Sequence, residues 1–364
     1  MRKIRVLVVD DSATIRKILG DAIAACPDLE LCGTAANGQV ALDKLDAAQP
    51  DVVTLDLEMP VLDGIGALRG LRARRPKLPV LMFSSHTERG AIATLDALAA
   101  GASDFVAKPR VESAADGQAF VAREVLPRLR ALAGRHAEVR PGAVPAPAAA
   151  PASNPPPHPA SGPTGGRGDA IVIAVSTGGP VALAVLLPKL PRTLAVPVLL
   201  VQHMPALFTR ILAERLSATG PLPVVEGKDG ERVVAGRVYL APGGQHLVVE
   251  RRATGPVLRI DDGPPENSCK PAADPLFRSA AAVWGSGTLG VVMTGMGRDG
   301  CAGAARIHQA GGTVLAQDQE SSVVWGMPGS VVEAGLADAV VPLGRLADEM
   351  LARVARGRHA AAAR

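Results

Sequence analysis

Two groups of residues in this chain have the types and spacing to do chemistry. Asp10 and Asp11 close the apolar run Ile4–Val9, Asp56 closes a second run from Val52 to Leu55, and Lys108 follows Phe105-Val106-Ala107. In an open parallel sheet the carboxyl ends of the strands face one crevice, so these three carboxylates and the ammonium would meet there. Carboxylates gathered in this way repel one another unless a cation sits among them, and a hard, oxygen-seeking Mg²⁺ suits that donor set. With the metal in place one carboxylate can attack phosphorus, and Lys108 would neutralise the phosphoryl oxygens. The chemistry is that of a phosphate-operated switch.

The second group lies further along. Ser176 sits in Ala174-Val175-Ser176-Thr177-Gly178-Gly179-Pro180, where a strand gives way to a helix. A serine in such a turn is exposed, and the free N–H groups of the helix start can cradle an oxyanion; a phosphate-binding turn is equally open on this motif alone. A nucleophilic serine needs a base and an orienter for that base. His203 follows the strand-like Val198–Gln202, and Asp299 lies in Thr294-Gly295-Met296-Gly297-Arg298-Asp299-Gly300, directly after another strand. His246 in Pro242-Gly243-Gly244-Gln245-His246 is a rival base, whereas His308 reads as a surface residue of a helix.

The elements that position both groups follow from the periodicity. Candidate strands at 5–9, 29–35, 52–55, 80–83 and 104–107 alternate with helices at 12–25, 38–48, 64–74, 90–100 and about 117–133, which is the doubly wound α/β pattern. Ser12 is a candidate N-cap. From Arg140 to Gly168 the chain is Pro, Ala, Gly and Ser, too poor in apolar residues to bury a core, so it reads as a linker. A second alternating series starts at Ala170, with a hairpin-rich excursion expected between about 224 and 260 before strands return at 289–294 and 313–317. The expected division is a first α/β domain over 1–125, a linker over 126–168, a second α/β domain over 169–355, and a disordered tail over 356–364.

The bulk composition agrees. Of 364 residues 48% are hydrophobic but only 2% aromatic, so the cores must be built from Ala, Val, Leu and Ile, as buried parallel strands under alanine-rich helices require. The net charge of +4 is small and carries no aromatic-interleaved basic stripe, which argues against nucleic acid as a partner. Four cysteines without a CxxC pair read as free thiols of a cytoplasmic protein. No apolar run reaches membrane-spanning length, so no membrane insertion is expected.

Asp10-Asp11, Asp56, Ser84 and Lys108-Pro109, with Met59-Pro60 and Asp63-Gly64, resemble the receiver domain of two-component response regulators. The resemblance implies that Asp56 accepts a phosphoryl group from a histidine kinase. It places Mg²⁺ on Asp10, Asp11, Asp56 and the backbone carbonyl of Glu58, with Ser84 as the phosphoryl-binding hydroxyl and Phe105 as the aromatic switch.

The second domain is similar to the catalytic domain of the chemotaxis protein-glutamate methylesterases, the CheB family. The similarity rests on Ser176–Pro180, Gln202-His203-Met204-Pro205, Ala241-Pro242-Gly243-Gly244, Gly295–Gly300 and Gly326-Met327-Pro328. It implies phosphorylation-activated hydrolysis of glutamate γ-methyl esters on chemoreceptors, with glutamine deamidation as a second activity and no cofactor for the hydrolysis. Ser176, His203 and Asp299 would be the triad, and the N–H groups of Thr177 and Met296 the oxyanion hole. Two positions depart from the family pattern, Ala174 where glycine is frequent and Arg298 where asparagine is. They lend what support there is to a rival reading, a non-catalytic receiver-linked adaptor. A nucleotide-binding output is a further rival and lacks the lysine of a P-loop.

Overall fold

Both domains are built on parallel sheets whose central strands are buried and mostly apolar. The computed structural model describes residues 2–85, 87–108, 113–137 and 168–362. The first domain runs β1 (Ile4–Val9), α1 (Ala13–Ala24), β2 (Leu29–Ala35), α2 (Gly38–Ala48), β3 (Val52–Asp56), α3 (Gly64–Arg74), β4 (Val80–Ser84), α4 (Glu88–Ala99), β5 (Asp104–Ala107) and α5 (Ala114–Phe120), which continues through a π-helical turn, Val121–Val125, into α6 (Leu126–Ala137). The sheet order is β2-β1-β3-β4-β5, all parallel. That is the doubly wound five-stranded fold expected from the pattern. Side chains start the helices: Ser12 accepts from the N–H of Ile15, Asn37 from Val40, Asp63 from Gly66 and Thr87 from Gly90.

The second domain runs β6 (Ala170–Val175), α7 (Gly179–Leu186), β7 (Val198–Gln202), α8 (Ala206–Thr219), β8 (Val224–Glu226), β9 (Val238–Leu240), β10 (His246–Arg252), β11 (Gly255–Asp261), α9 (Ala273–Trp284), β12 (Thr288–Val292), α10 (Cys301–Gln309), β13 (Thr313–Gln317), α11 (Gly326–Glu333), β14 (Ala339–Val341) and α12 (Leu343–Ala362). Its sheet has the order β14-β13-β12-β6-β7-β9-β8, again parallel. From β6 the chain winds first to one side, through β7, and later to the other, through β12. The crevice at the carboxyl end of β6 is therefore a topological switch point, where open α/β sheets form their sites.

Three expectations need correction. Residues 126–137 do not belong to a linker: Leu126, Leu129, Leu132 and Ala133 bury one face of α6 against the first sheet, which keeps the helix going. The rest of the expected linker, residues 138–167, lies outside the described residues. The tail expected without structure is helical to Ala362, an alanine-rich segment of high helix propensity. Within the expected hairpin excursion β10 and β11 are the strands that pair antiparallel, with an isolated antiparallel bridge from Arg232 to Val257; β8 and β9 join the main sheet in parallel, because Val238, Tyr239 and Leu240 are wholly buried beside β7.

The two domains pack on each other through one apolar cluster that includes Leu95, Leu98 and Phe105 of the first and Leu183, Phe208 and Leu212 of the second. Phe105 stacks on Phe208 with ring centroids 4.6 Å apart. Ion pairs between α4 and α8, Glu88–Arg210 and Asp96–Arg215, flank the stack.

Candidate functional sites

In the first domain the strand ends do converge. Asp10, Asp11 and Asp56 offer carboxylate oxygens that all lie within 4.8 Å of one another. Lys108 Nζ bridges two of them, 3.0 Å from Asp10 and 2.8 Å from Asp56. Asp56 is 4% exposed. Burial pushes its carboxyl up to about 6, against the hydrogen bond from Lys108, and the charge of Asp10 adds to the push. Its one backbone donor among the described residues is the N–H of Leu57, at 2.8 Å. Hard oxygen donors short of positive charge are what Mg²⁺ takes, so the residues present fit the ion. Glu58 is exposed in the loop after β3.

Among the described residues Ser84 makes no hydrogen bond to the carboxylates. Its buried hydroxyl donates to Gly90 O at 3.1 Å and accepts from Thr94 Oγ1 at 2.6 Å, which ties it to α4. Phe105, equally, is turned into the contact with Phe208. Both expected switch residues thus touch elements that carry the second domain.

In the second domain, the turn after β6 is fixed by backbone. Ser176 N–H donates to Thr294 O at 2.9 Å, Gly179 N–H to Ser176 O at 2.7 Å, and Gln202 Nε2 to Ser176 O at 3.0 Å. Gly178 takes a left-handed φ of 77°, and a Cβ on Gly179 would lie 1.9 Å from Gln202 Oε1, so this turn demands both glycines. Thr294 Oγ1 donates to Thr177 O at 2.9 Å and locks the turn to the loop that carries Met296. No hydrogen bond among the described residues uses the N–H of Thr177 or of Met296. Two free donors flanking a serine are the makings of an oxyanion hole.

His203, at the end of β7, gives Nε2 to Asp299 Oδ2 at 2.7 Å, and Asp299 is 1% exposed. Burial would lower the imidazole, but its hydrogen bonds to Asp299 and Cys269, with their charges, outweigh it and push His203 up to about 9. Burial likewise opposes ionisation of Asp299, yet His203 and the N–H groups of Ala273 and Asp274 hold its carboxyl below the ordinary range. Ser176 is half-buried, and among the described residues its hydroxyl makes no hydrogen bond. The nitrogen that Asp299 leaves free, Nδ1, has Cys269 Sγ 3.5 Å away.

The rival base falls away on geometry. His246 is buried with both nitrogens engaged, Nε2 with Pro264 O at 3.0 Å and Nδ1 with the N–H of Ala272 at 3.1 Å, so it fastens a loop. His308 is exposed on α10. Of the two departing positions, Ala174 is buried in β6 and Arg298 is exposed beside Asp299. Sequence reading missed Asn267, Cys269 and Asp274, which surround Asp299 and His203. Their one signal was a polar stretch, Glu266-Asn267-Ser268-Cys269-Lys270-Pro271, directly before a helix.

The fold and these sites define a class: a receiver domain joined to an α/β domain with a Ser/His/Asp cluster at its switch point. Comparison with known proteins narrows it. The CheB methylesterase family matches residues 171–350 and the response regulator receiver domain matches residues 6–115. A protein-glutamate methylesterase/protein-glutamine glutaminase of Nocardioides sp. is 51% identical, over 98% of this chain and 97% of its own length. A protein of the same description from Trichodesmium erythraeum is 42% identical over 97% of this chain and all of its own. The crystal structure of the Thermotoga maritima CheB methylesterase catalytic domain superposes with a TM-score of 0.50 at 42% identity, covering 50% of this chain and 97% of that one. The chain belongs to the CheB family of protein-glutamate methylesterases. No helix among the described residues is long and apolar enough to cross a membrane.

Proposed function

We propose that this chain is a phosphorylation-activated protein-glutamate methylesterase that removes methyl groups from glutamate γ-methyl esters of chemoreceptors and deamidates receptor glutamines, in chemotaxis adaptation. The observation that carries the reading is the buried 2.7 Å bond between His203 and Asp299 beside the Ser176 turn. With Nε2–H held by Asp299, Nδ1 of the neutral imidazole takes the Ser176 proton as Oγ attacks the ester carbonyl, so turnover draws on the deprotonated fraction of His203 and rises with pH towards about 9. Substrate closure has to bring the hydroxyl onto Nδ1 past Cys269, and catalytic hydrogen bonds commonly tighten only on binding. The tetrahedral oxyanion is held by the N–H groups of Thr177 and Met296. His203 then returns the proton to the departing methoxide, methanol leaves, and water attacks the glutamyl ester to free Ser176. A γ-amide passes through the same intermediate and loses ammonia instead.

In the receiver, Asp56 accepts the phosphoryl group from a histidine kinase. Asp10, Asp11, Asp56 and the Glu58 carbonyl would hold Mg²⁺, which would supply positive charge to the phosphoryl oxygens. Lys108 neutralises phosphoryl oxygens as well, and Ser84 turns from α4 to bond one of them. That turn breaks the Thr94 and Gly90 contacts, disturbs α4 and Phe105, and loosens the receiver from α8. The unphosphorylated receiver reaches the active-site turn itself: Thr177 Oγ1 donates to Asp104 Oδ2 at 2.9 Å. Phosphorylation therefore biases a two-state contact.

The test is methanol release from methylated chemoreceptor membranes by wild type and Ser176→Ala, each with and without acetyl phosphate. Release should require Ser176 and rise with phosphodonor. No release by phosphorylated wild type on several receptors would return the adaptor reading.

A further inference from the structure

Asp299 is held by an unusual arrangement of its own. It lies just before α10, yet its two oxygens accept from the first N–H groups of α9, Oδ2 from Ala273 at 2.6 Å and Oδ1 from Asp274 at 3.2 Å. Asp274, on α9, returns the contact: its Oδ1 accepts from Gly303 N–H in the first turn of α10 at 2.6 Å. Each helix thus caps the other. The cost is two carboxylates side by side, Asp274 being 3% and Asp299 1% exposed.

Asn267 sits between them. Its Nδ2 donates to Asp299 Oδ1 at 3.0 Å and to Asp274 Oδ2 at 2.9 Å, one hydrogen for each carboxylate. To reach there Asn267 takes a left-handed φ of 51°, and Ser268 follows at 62°. Two consecutive non-glycine residues in that region are strained, and strain of this kind is kept where the surroundings demand it.

We propose that Asn267 is a positioning residue for the hydrolysis, with Asp274 as its anchor: together they fix the rotamer and the negative charge of Asp299, and so keep His203 in one tautomer. The inference rests on the proposed role of Asp299 as orienter of His203. The titratable and charged groups around Asp299 are His203 from the end of β7, Asp274 and Arg278 from α9, and Cys269 from the preceding loop. Arg278 is already paired with Glu266, at 2.6 and 2.9 Å. Asn267 is thus the side-chain donor that Asp299 and Asp274 share. Burial, with the charge of Asp299, raises the Asp274 carboxyl, so it is the member of the pair that takes a proton first on acidification, weakening the anchor.

Asn267→Gly tests this in the full chain. Glycine adopts a positive φ freely, so the backbone is relieved while the amide is removed. Asp274→Asn is the second variant; it keeps size but turns one amide N–H towards a donor. Two quantities are read: the titration midpoint of the His203 ring nitrogens by NMR, and kcat and KM for methanol release with acetyl phosphate. The midpoint should fall by about one pH unit as Asp299 leaves the single rotamer that holds its charge against the imidazolium. In Asn267→Gly, kcat should fall about tenfold or more, part of the roughly 10²–10⁴-fold that general-base catalysis supplies, with KM unchanged. Asp274→Asn should move both readings in the same direction. An unchanged midpoint overturns the proposal, whether the melting temperature holds or falls. Should wild type release no methanol, the proposed function fails, and the midpoint alone still decides the role of Asn267.

Discussion

The two sites share an architecture and differ in electrostatics. Each gathers buried carboxylates at the carboxyl ends of parallel strands. In the receiver, Asp56 has one backbone donor and one lysine against two other carboxylates, and its carboxyl is pushed up to about 6. In the catalytic domain Asp299 accepts from Ala273, Asp274, Gly300 and Asn267 as well as from His203, and its carboxyl is pulled down. Burial opposes ionisation in both. What differs is the supply of N–H donors, which two helix starts bring to Asp299 and none brings to Asp56. The first site is therefore left short of positive charge, which the proposed cation would supply, whereas the second completes its own charge balance, in keeping with the proton transfer proposed for His203.

The sharpest way to break that contrast is to neutralise each carboxylate in turn. Asp299→Asn keeps the shape but reverses the tautomer preference of His203, and hydrolysis should fall roughly 10³–10⁴-fold, as in other serine triads. The same change bears on stability against pH. The folded imidazole of His203 titrates near 9, above its ordinary 6.5. Its contribution is thus fully present below pH 6.5 and is lost as pH rises through about 9. Melting temperatures of wild type should decline across that window, and those of Asp299→Asn should be flatter. A variant with the same slope as wild type would show that Asp299 does not hold the imidazolium.

Asp56→Asn should act in the opposite sense on stability. Removing a charge that burial and Asp10 disfavour should raise the stability of the chelator-treated chain by roughly 1–2 kcal/mol, read as a higher midpoint of urea unfolding. Acetyl phosphate should no longer speed methanol release, while basal release stays at the wild-type level. A destabilised Asp56→Asn would mean that its bond to Lys108 outweighs burial, and the contrast drawn above would be wrong.

The contact proposed to couple the sites is apolar at its centre and charged at its edge. Reversing both rim cations, Arg210→Glu with Arg215→Glu, sets like charges against Glu88 and Asp96. Exposed pairs are worth about 0.2–1 kcal/mol each, so basal hydrolysis should rise only a few-fold, and less at high salt. An unaltered basal rate would place the restraint wholly in Phe105–Phe208 and Asp104–Thr177.

Much of this was legible in the sequence, for reasons that can be named. Strand-end residues declare themselves because an apolar run that stops at Asp56, His203 or Thr294 must stop at the sheet edge. The family motifs then pointed to Ser176, His203 and Asp299. What stayed hidden depends on contacts between distant segments. Nothing local marks Asn267 as the bridge between Asp274 and Asp299, or His246 as a loop fastener whose nitrogens meet Pro264 and Ala272. Phe105 was readable as a switch position, but its partner Phe208 lies in another domain. The periodicity carries a helix to about 133, yet the domain boundary expected at 125 cuts through it; the buried Leu126, Leu129 and Leu132 tie that last stretch to the first domain.

Backbone strain divides the two sites as well, and gives the smallest effect. Around Asp299 it falls on Asn267, whose side chain is used. Near Asp56 it falls on Val61, a β-branched residue at φ 69° and 85% exposed. A branched side chain is poorly suited to the left-handed region, and so exposed a valine recovers little by burial. Val61→Gly should stabilise the isolated chain by about 1 kcal/mol, measured by urea unfolding. If the valine is kept for a partner, that gain should come with slower phosphotransfer from the histidine kinase while phosphorylation by acetyl phosphate is unchanged. Wild-type rates with both donors would leave the strain in this loop without a use, unlike that at Asn267.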